Sequence, residues 1–280
     1  WTLRAMRLRV HFHSDAASFA GCENMLANFL NDGSFMSVHD VSFSYRYTEE
    51  YERGLRRRVP GPVCFLPLRM MSGVNLHERA MQEPAPKQIA LRIGALFVQE
   101  CGLLVNTVKL YLVLRRRQIA ILHINNGGYP GAYSCMSAVI AGRLAGIKRI
   151  VYVVNNEAVP YRRPRRWLDY GLDRLVAALS TVFVTGSRHT AGRLGSILAL
   201  PPRRVFTIPN GISLRTATES PEDWCRRLGL AMDRVLIGVV AVLEERKGHI
   251  YLLRALKLMR EQNPGRRMPY VVVDAQGPCL

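Results

Sequence analysis

Short runs of branched apolar residues alternate with stretches whose apolar positions recur at helical spacing, along almost the whole chain. The runs at 8–13, 38–45, 63–66, 119–124, 149–154, 181–185 and 204–208 predict strands. The stretches at 22–30, 87–114, 132–145, 165–179 and 188–198 predict helices between them. Val and Ile occupy both faces of several strands, as in a parallel sheet covered by helices on both sides. Such alternation implies βαβ units and a doubly wound, Rossmann-like α/β domain.

The most apolar window, 93–114, has the length of a membrane span but carries Glu100, Asn106 and Lys109. Those groups are costly in hydrocarbon, so a long, partly buried helix is expected instead. A second rhythm follows Pro209-Asn210-Gly211: a helix start at Pro221, a strand at 235–242, a helix at 247–262 and a strand at 270–273. The expected organisation is an N-terminal domain over 1–210 and a second domain over 211–280. Two strands and two helices do not close a doubly wound sheet, so the second domain is expected to be cut short. The chain opens on Trp1 rather than Met, and its start is likewise expected to be trimmed or processed.

Composition sharpens this picture. The 280 residues are 49% hydrophobic and 21% charged, which excludes a disordered or fibrous chain. The 39 Lys and Arg against 21 Asp and Glu leave a net charge of +18, and most of the excess lies before residue 211. Arginines cluster at 56–58, 115–117 and 162–166. A surface of this kind attracts anions, whether phosphorylated substrates, an anionic membrane surface or nucleic acid. No nucleic-acid-binding fingerprint accompanies the runs, which argues against the last. Six cysteines stand far apart with no C-x-x-C pair, and are expected as reduced, mostly buried thiols of a cytoplasmic protein.

In open α/β sheets, ligands bind outside the carboxyl ends of the strands. His123 and Ile124 run into Asn125-Asn126-Gly127-Gly128-Tyr129-Pro130-Gly131. Glycines there let the backbone approach a ligand, and the following helix start offers free N–H groups to an anion. A tight structural turn accounts for the same residues. Asn155 follows the strand at 149–154, and Gly186-Ser187 follows the strand at 181–185, where Ser187 suits a helix cap equally well. Gly21 opens the first helix, and Lys247-Gly248 opens the corresponding helix of the second domain.

Taken in order, these segments resemble the retaining glycosyltransferases of family 4, which have the GT-B architecture. Residues 204–212 (RVFTIPNGI) are similar to that family's segment joining its two domains. Residues 236–249 (LIGVVAVLEERKGH) and 251–255 (YLLRA) resemble its first C-domain strand and donor-binding helix start. Residues 271–278 (VVVDAQGP) resemble its next strand and Gly-x-Gly-Pro turn, and the stretch 182–194 resembles its strand leading to a serine-capped helix.

The resemblance implies a nucleotide-diphosphate-sugar donor on the second domain and a lipid-linked or polysaccharide acceptor on the first. It also implies transfer with retention, without metal or other cofactor, in cell-envelope synthesis on the cytoplasmic face of a membrane. Lys247, Gly248 and Gly21 match donor-binding positions, with Arg246 as the substitute for a family arginine; His123, Asn125, Gly127, Gly128, Ser187, Asn210 and Gly211 match the cleft. Asn155 stands where the family commonly has a catalytic histidine, and Val242 where it has an arginine five residues before the lysine. The glycine pair of the first loop reads Ala20-Gly21. The family's Glu-x7-Glu motif is expected beyond residue 280, so these residues are expected to lack transferase activity alone. Two rival readings are a non-catalytic GT-B-like module that binds anionic membrane or polymer, and a sugar-nucleotide epimerase.

Overall fold

The computed structural model describes residues 7–19, 21–211, 216 and 218–274, and the chain divides after Gly211 into two compact units. The first unit runs β1 (Leu8–Ser14), α1 (Gly21–Asn31), α2 (Gly33–Val38), β2 (His39–Arg46), α3 (Glu49–Arg58), β3 (Cys64–Leu68) and α4 (Val74–Gln82). It continues through α5 (Ala85–Arg115), β4 (Ile121–Asn126), α6 (Tyr133–Leu144), β5 (Arg149–Val154), α7 (Pro164–Leu168), α8 (Tyr170–Leu179), β6 (Val182–Thr185), α9 (Arg188–Leu198) and β7 (Val205–Thr207). Its seven strands form one parallel sheet in the order β3-β2-β1-β4-β5-β6-β7. The order reverses between β1 and β4, so the crevice at their carboxyl ends is the natural ligand position of such a sheet.

All seven predicted strands form. Val10, Phe12, Val41 and Phe43 pack with Leu26 and Leu30 of α1 and with Tyr51 and Leu55 of α3. A second cluster joins β4, β5 and β6 to α5, α6, α8 and α9 through Leu110, Leu122, Met136, Ile150, Tyr152, Val176, Phe183 and Leu194. At Gly142, α6 lies so close to the sheet that a Cβ would stand 2.6 Å from Leu122.

The helices depart from the periodicity in several places, and α2 and α4 form where none was predicted. The predicted helix over 165–179 is two helices, α7 and α8, parted at Asp169, whose carboxylate takes Arg166 at 3.2 Å and a hydrogen bond from Tyr133 Oη. The predicted partly buried helix around 93–114 is α5, but it buries only a narrow stripe: Ala95, Gly102, Asn106, Leu110 and Leu114. α3 went unpredicted because it is mostly charged, burying only Tyr51 and Leu55 at i,i+4 spacing. Of the five described cysteines, Cys135 and Cys225 are buried, Cys22 and Cys101 are half-buried and Cys64 is exposed.

The second unit holds α10 (Pro221–Arg227), β8 (Leu236–Val240), α11 (His249–Gln262) and β9 (Tyr270–Asp274), with β8 and β9 parallel. The helix predicted from Lys247 begins instead at His249. Lys247 lies in a preceding 3-10 turn, and Gly248 takes φ +74°, a left-handed conformation that favours glycine. The family-like residues Ala20, Ile212 and 275–278 lie outside the described residues.

The other side of β1 from Val10 and Phe12 is polar and equally buried. His11 Nδ1 meets Ser42 Oγ at 2.7 Å, and its Nε2 meets Ser44 Oγ at 2.8 Å. His13 meets Ser44 Oγ at 2.9 Å and Ser134 Oγ of α6 at 3.2 Å. Burial holds both rings neutral, pushing His11 down to about 3 and His13 down to about 4. Because the unfolded chain binds these protons near the ordinary value of 6.5, the stability they contribute is full above that pH and lost as pH falls toward 4. Stability should therefore fall below pH 6.5 by about 1.4 kcal/mol per unit for each of the two histidines. Urea midpoints measured from pH 7.5 to 5 should show this slope; a flat profile would contradict it.

Candidate functional site at the carboxyl edge of the sheet

The loop between β4 and α6 is built around one buried amide. Asn126 Nδ2 donates to Pro130 O at 2.9 Å and to Tyr152 Oη at 2.8 Å, while its Oδ1 accepts from Ala132 N at 3.2 Å. Gly131 turns the chain back at φ +62°, and a Cβ there would fall 2.3 Å from Asn126 Oδ1 and 2.5 Å from Gly128 O. Gly127 and Gly128 are under no such constraint: no atom lies within 4 Å of a Cβ at Gly127, and the nearest to one at Gly128 is 3.8 Å away.

The neighbouring strand ends are tied into this loop. Asn125 Nδ2 reaches Cys22 O at 3.4 Å, next to Gly21 at the start of α1. Asn155 Nδ2 donates to Asn125 Oδ1 at 3.0 Å and to Asn126 O at 2.9 Å. Both amide hydrogens of Asn155 are thereby engaged, and its Oδ1 is the atom left to accept from a ligand hydroxyl. Gly21, Asn125, Gly127, Gly128 and Asn155 thus gather along the carboxyl ends of β1, β4 and β5.

Other expected site residues lie apart from this group. His123 sits within β4, three residues before its end, with its ring against Phe12 (4.7 Å) and Phe29 (5.7 Å). Burial pushes it down to about 4, so it is a neutral packing residue rather than a lining of the crevice. Ser187 caps α9, its Oγ accepting from Thr190 N at 3.2 Å. Asn210 and Gly211 are exposed beyond β7, with the Asn210 side chain approaching Gly186. Lys247 and Gly248 stand in the second unit at the start of α11, Lys247 exposed. Arg246 lies in the same turn, and Val242, where the resembling family has arginine, is partly exposed.

A cavity of about 470 Å³ that the sequence does not reveal opens beside Gly131 at the start of α6. Asp15, just past β1, pairs with Arg46 at 2.7 Å and accepts from Ser134 Oγ at 2.5 Å. Burial pushes the Asp15 carboxyl up, against the pull of the Arg46 guanidinium. Arg166, which also lines the cavity, is neutralised by Asp169 and Asp173. Arg163 and Arg165 add two further positive charges at the rim, Arg165 donating to Gln99 of α5 at 2.9 Å. The cavity is therefore net positive and holds paired polar groups suited to an anionic or hydroxyl-rich ligand.

The loop geometry has a direct consequence. Gly131→Ala should destabilise the protein by about 2–3 kcal/mol, whereas Gly127→Ala should stay within about 0.5 kcal/mol of the parent. Equal denaturation midpoints for the two variants would contradict the assignment of Asn126 as the organiser of this loop.

Residues 76–216, from α4 through β7, match the family model of glycosyltransferase family 4. The D-inositol 3-phosphate glycosyltransferase of Actinosynnema mirum is 33% identical over 139 residues, 49% of this chain and 32% of that protein. The chain thus matches about a third of the length of that curated relative. A glycosyltransferase from Rickettsia africae superposes with a TM-score of 0.65 at 12% identity, over 96% of this chain and 60% of that one. HepE of Anabaena, solved with UDP, superposes at 0.61 and 15% identity, over 96% and 62%. These superpositions agree with the GT-B fold class, and the family match extends over half of the sequence. The chain belongs to glycosyltransferase family 4.

Proposed function

We propose that the whole protein transfers a sugar, with retention, from a nucleotide-diphosphate-sugar donor to a lipid-linked or polysaccharide acceptor in cell-envelope synthesis. The observation that carries this reading is the family match over 76–216, the segment that contains Asn125, the Gly127–Gly131 turn and Asn155. The HepE structures with UDP and with UDP-glucose support a nucleotide sugar as donor. The name of the curated relative supports an acceptor carrying phosphate, for which the positive cavity beside Gly131 has suitable charge. Family and relative are both transferases, which favours this reading over epimerisation.

Donor binding falls to the start of α11. Gly248 in its left-handed conformation leaves the first N–H groups of a 14-residue helix open, and Lys247 adds a positive charge one residue before it. The departing diphosphate gains charge as the glycosidic bond breaks, so these groups act more strongly in the transition state than in the ground state. Asn155 does not titrate; it accepts a sugar hydroxyl through Oδ1 and orients rather than exchanges a proton. The chain spans about 60% of the glycosyltransferase structures on which it superposes, so this reading concerns the whole protein.

In that protein, Lys247→Ala should lower kcat/KM for the nucleotide sugar roughly 10²–10³-fold. Lys257, exposed on the same helix and 3.8 Å from Glu261, is the control: its alanine variant should keep full activity and lie within about 0.5 kcal/mol in stability. Wild-type turnover by Lys247→Ala, or equal losses in both variants, would overturn the donor assignment.

A further inference from the structure

We infer that the outer side of α5, together with α7, is a docking surface for an anionic lipid bilayer. α5 is 31 residues long, about 46 Å at 1.5 Å per residue, and its most apolar 18-residue window is only 11% buried. Ile89, Ile93, Phe97, Leu104, Val108 and Leu112 follow one another four residues apart, with one step of seven between Phe97 and Leu104, and all are exposed, Phe97 by 71% and Leu104 by 70%. Such a run forms one continuous stripe along a helix, and contiguous apolar patches of that extent mark interaction surfaces. Glu100 is the single acidic side chain within it.

The helix lies along the bilayer rather than across it. Its inner face is fixed to the domain: Leu110 and Leu114 sit in the core, and Asn106 exchanges two hydrogen bonds of 2.9 Å with the backbone of Met71. It follows α4 in the crossover from β3 and leads into β4, and those two strands are parallel in one sheet. An apolar stripe held flat in this way enters the boundary between headgroups and acyl chains.

Charge selects the partner. Arg92, Arg115 and Arg116 are exposed on or beside α5, and Arg165 ties α7 to Gln99 at the middle of the helix. α7 carries the exposed Trp167 (58%) and Leu168 (77%) directly after Arg162, Arg163 and Arg165, with Trp167 against the rings of Tyr161 and Tyr170. Aromatic side chains beside arginines suit the interface of an anionic leaflet. A second copy of the chain would instead bring like arginine clusters together in a protein of net charge +18.

The test is flotation with vesicles of neutral phosphatidylcholine alone or mixed with phosphatidylglycerol, with the emission of Trp167 as a second readout. Binding should need the anionic lipid, weaken with salt, and shift Trp167 emission to the blue, a shift absent from Trp167→Phe. The double variant Phe97→Glu and Leu104→Glu should lose at least roughly tenfold in partitioning, and each of Arg162→Ala and Arg163→Ala about fivefold. Unchanged thermal melts would show that these exposed substitutions leave the fold intact. Equal binding to both vesicle types, no binding at low salt, or undiminished binding by the double variant would overturn the proposal. So would a concentration-dependent dimer abolished by the same variant, which would assign the stripe to a second copy.

Discussion

The amide of Asn126 is the contact on which the carboxyl edge of the sheet depends. It is fully enclosed at the end of β4, where an unpaired amide would be costly, and it satisfies that cost by holding Pro130, Ala132 and Tyr152 at once. Its own carbonyl then receives the side chain of Asn155. The loop before α6, the end of β5 and, through Asn125, the start of α1 are therefore fixed relative to one another without any ligand. A site preorganised in this way binds and orients with little reorganisation.

The polar chain beneath that edge extends the same logic. From His11 through Ser44, His13 and Ser134 to Asp15 and Arg46, neighbouring groups of the buried face satisfy one another. This places a buried, ion-paired carboxylate at the switch point between β1 and β4, with the helix start of α6 beside it. The sheet thus carries an apolar face toward α1 and α3 and a hydrogen-bonded face toward α6, both on the same strand.

Much of this was legible in the sequence. Branched apolar runs located every strand of the first sheet, and the Asn-Asn-Gly-Gly and Lys-Gly stretches marked loops that do lie at strand ends. What stayed hidden has physical reasons. α3 is held by two side chains among charges, too few to register as periodicity. His123 precedes the loop by only a few residues, yet the alternation of side chains along β4 turns it toward Phe12 and Phe29. The cavity draws Asp15, Arg46, Ser134 and Arg166 from four separate stretches of the chain, and only the sheet order brings them together. The outer stripe of α5 has the composition of a core helix, so only the packed structure reveals that nothing among the described residues covers it.

Amide hydrogen exchange with and without UDP tests the account most directly, because it reads each unit separately. The account predicts slower exchange at residues 245–252, where Lys247 and the start of α11 receive the diphosphate, with the exchange of β4 and β5 unchanged. Protection confined to the first unit, or none at saturating nucleotide, would contradict the assignment of the donor to the second.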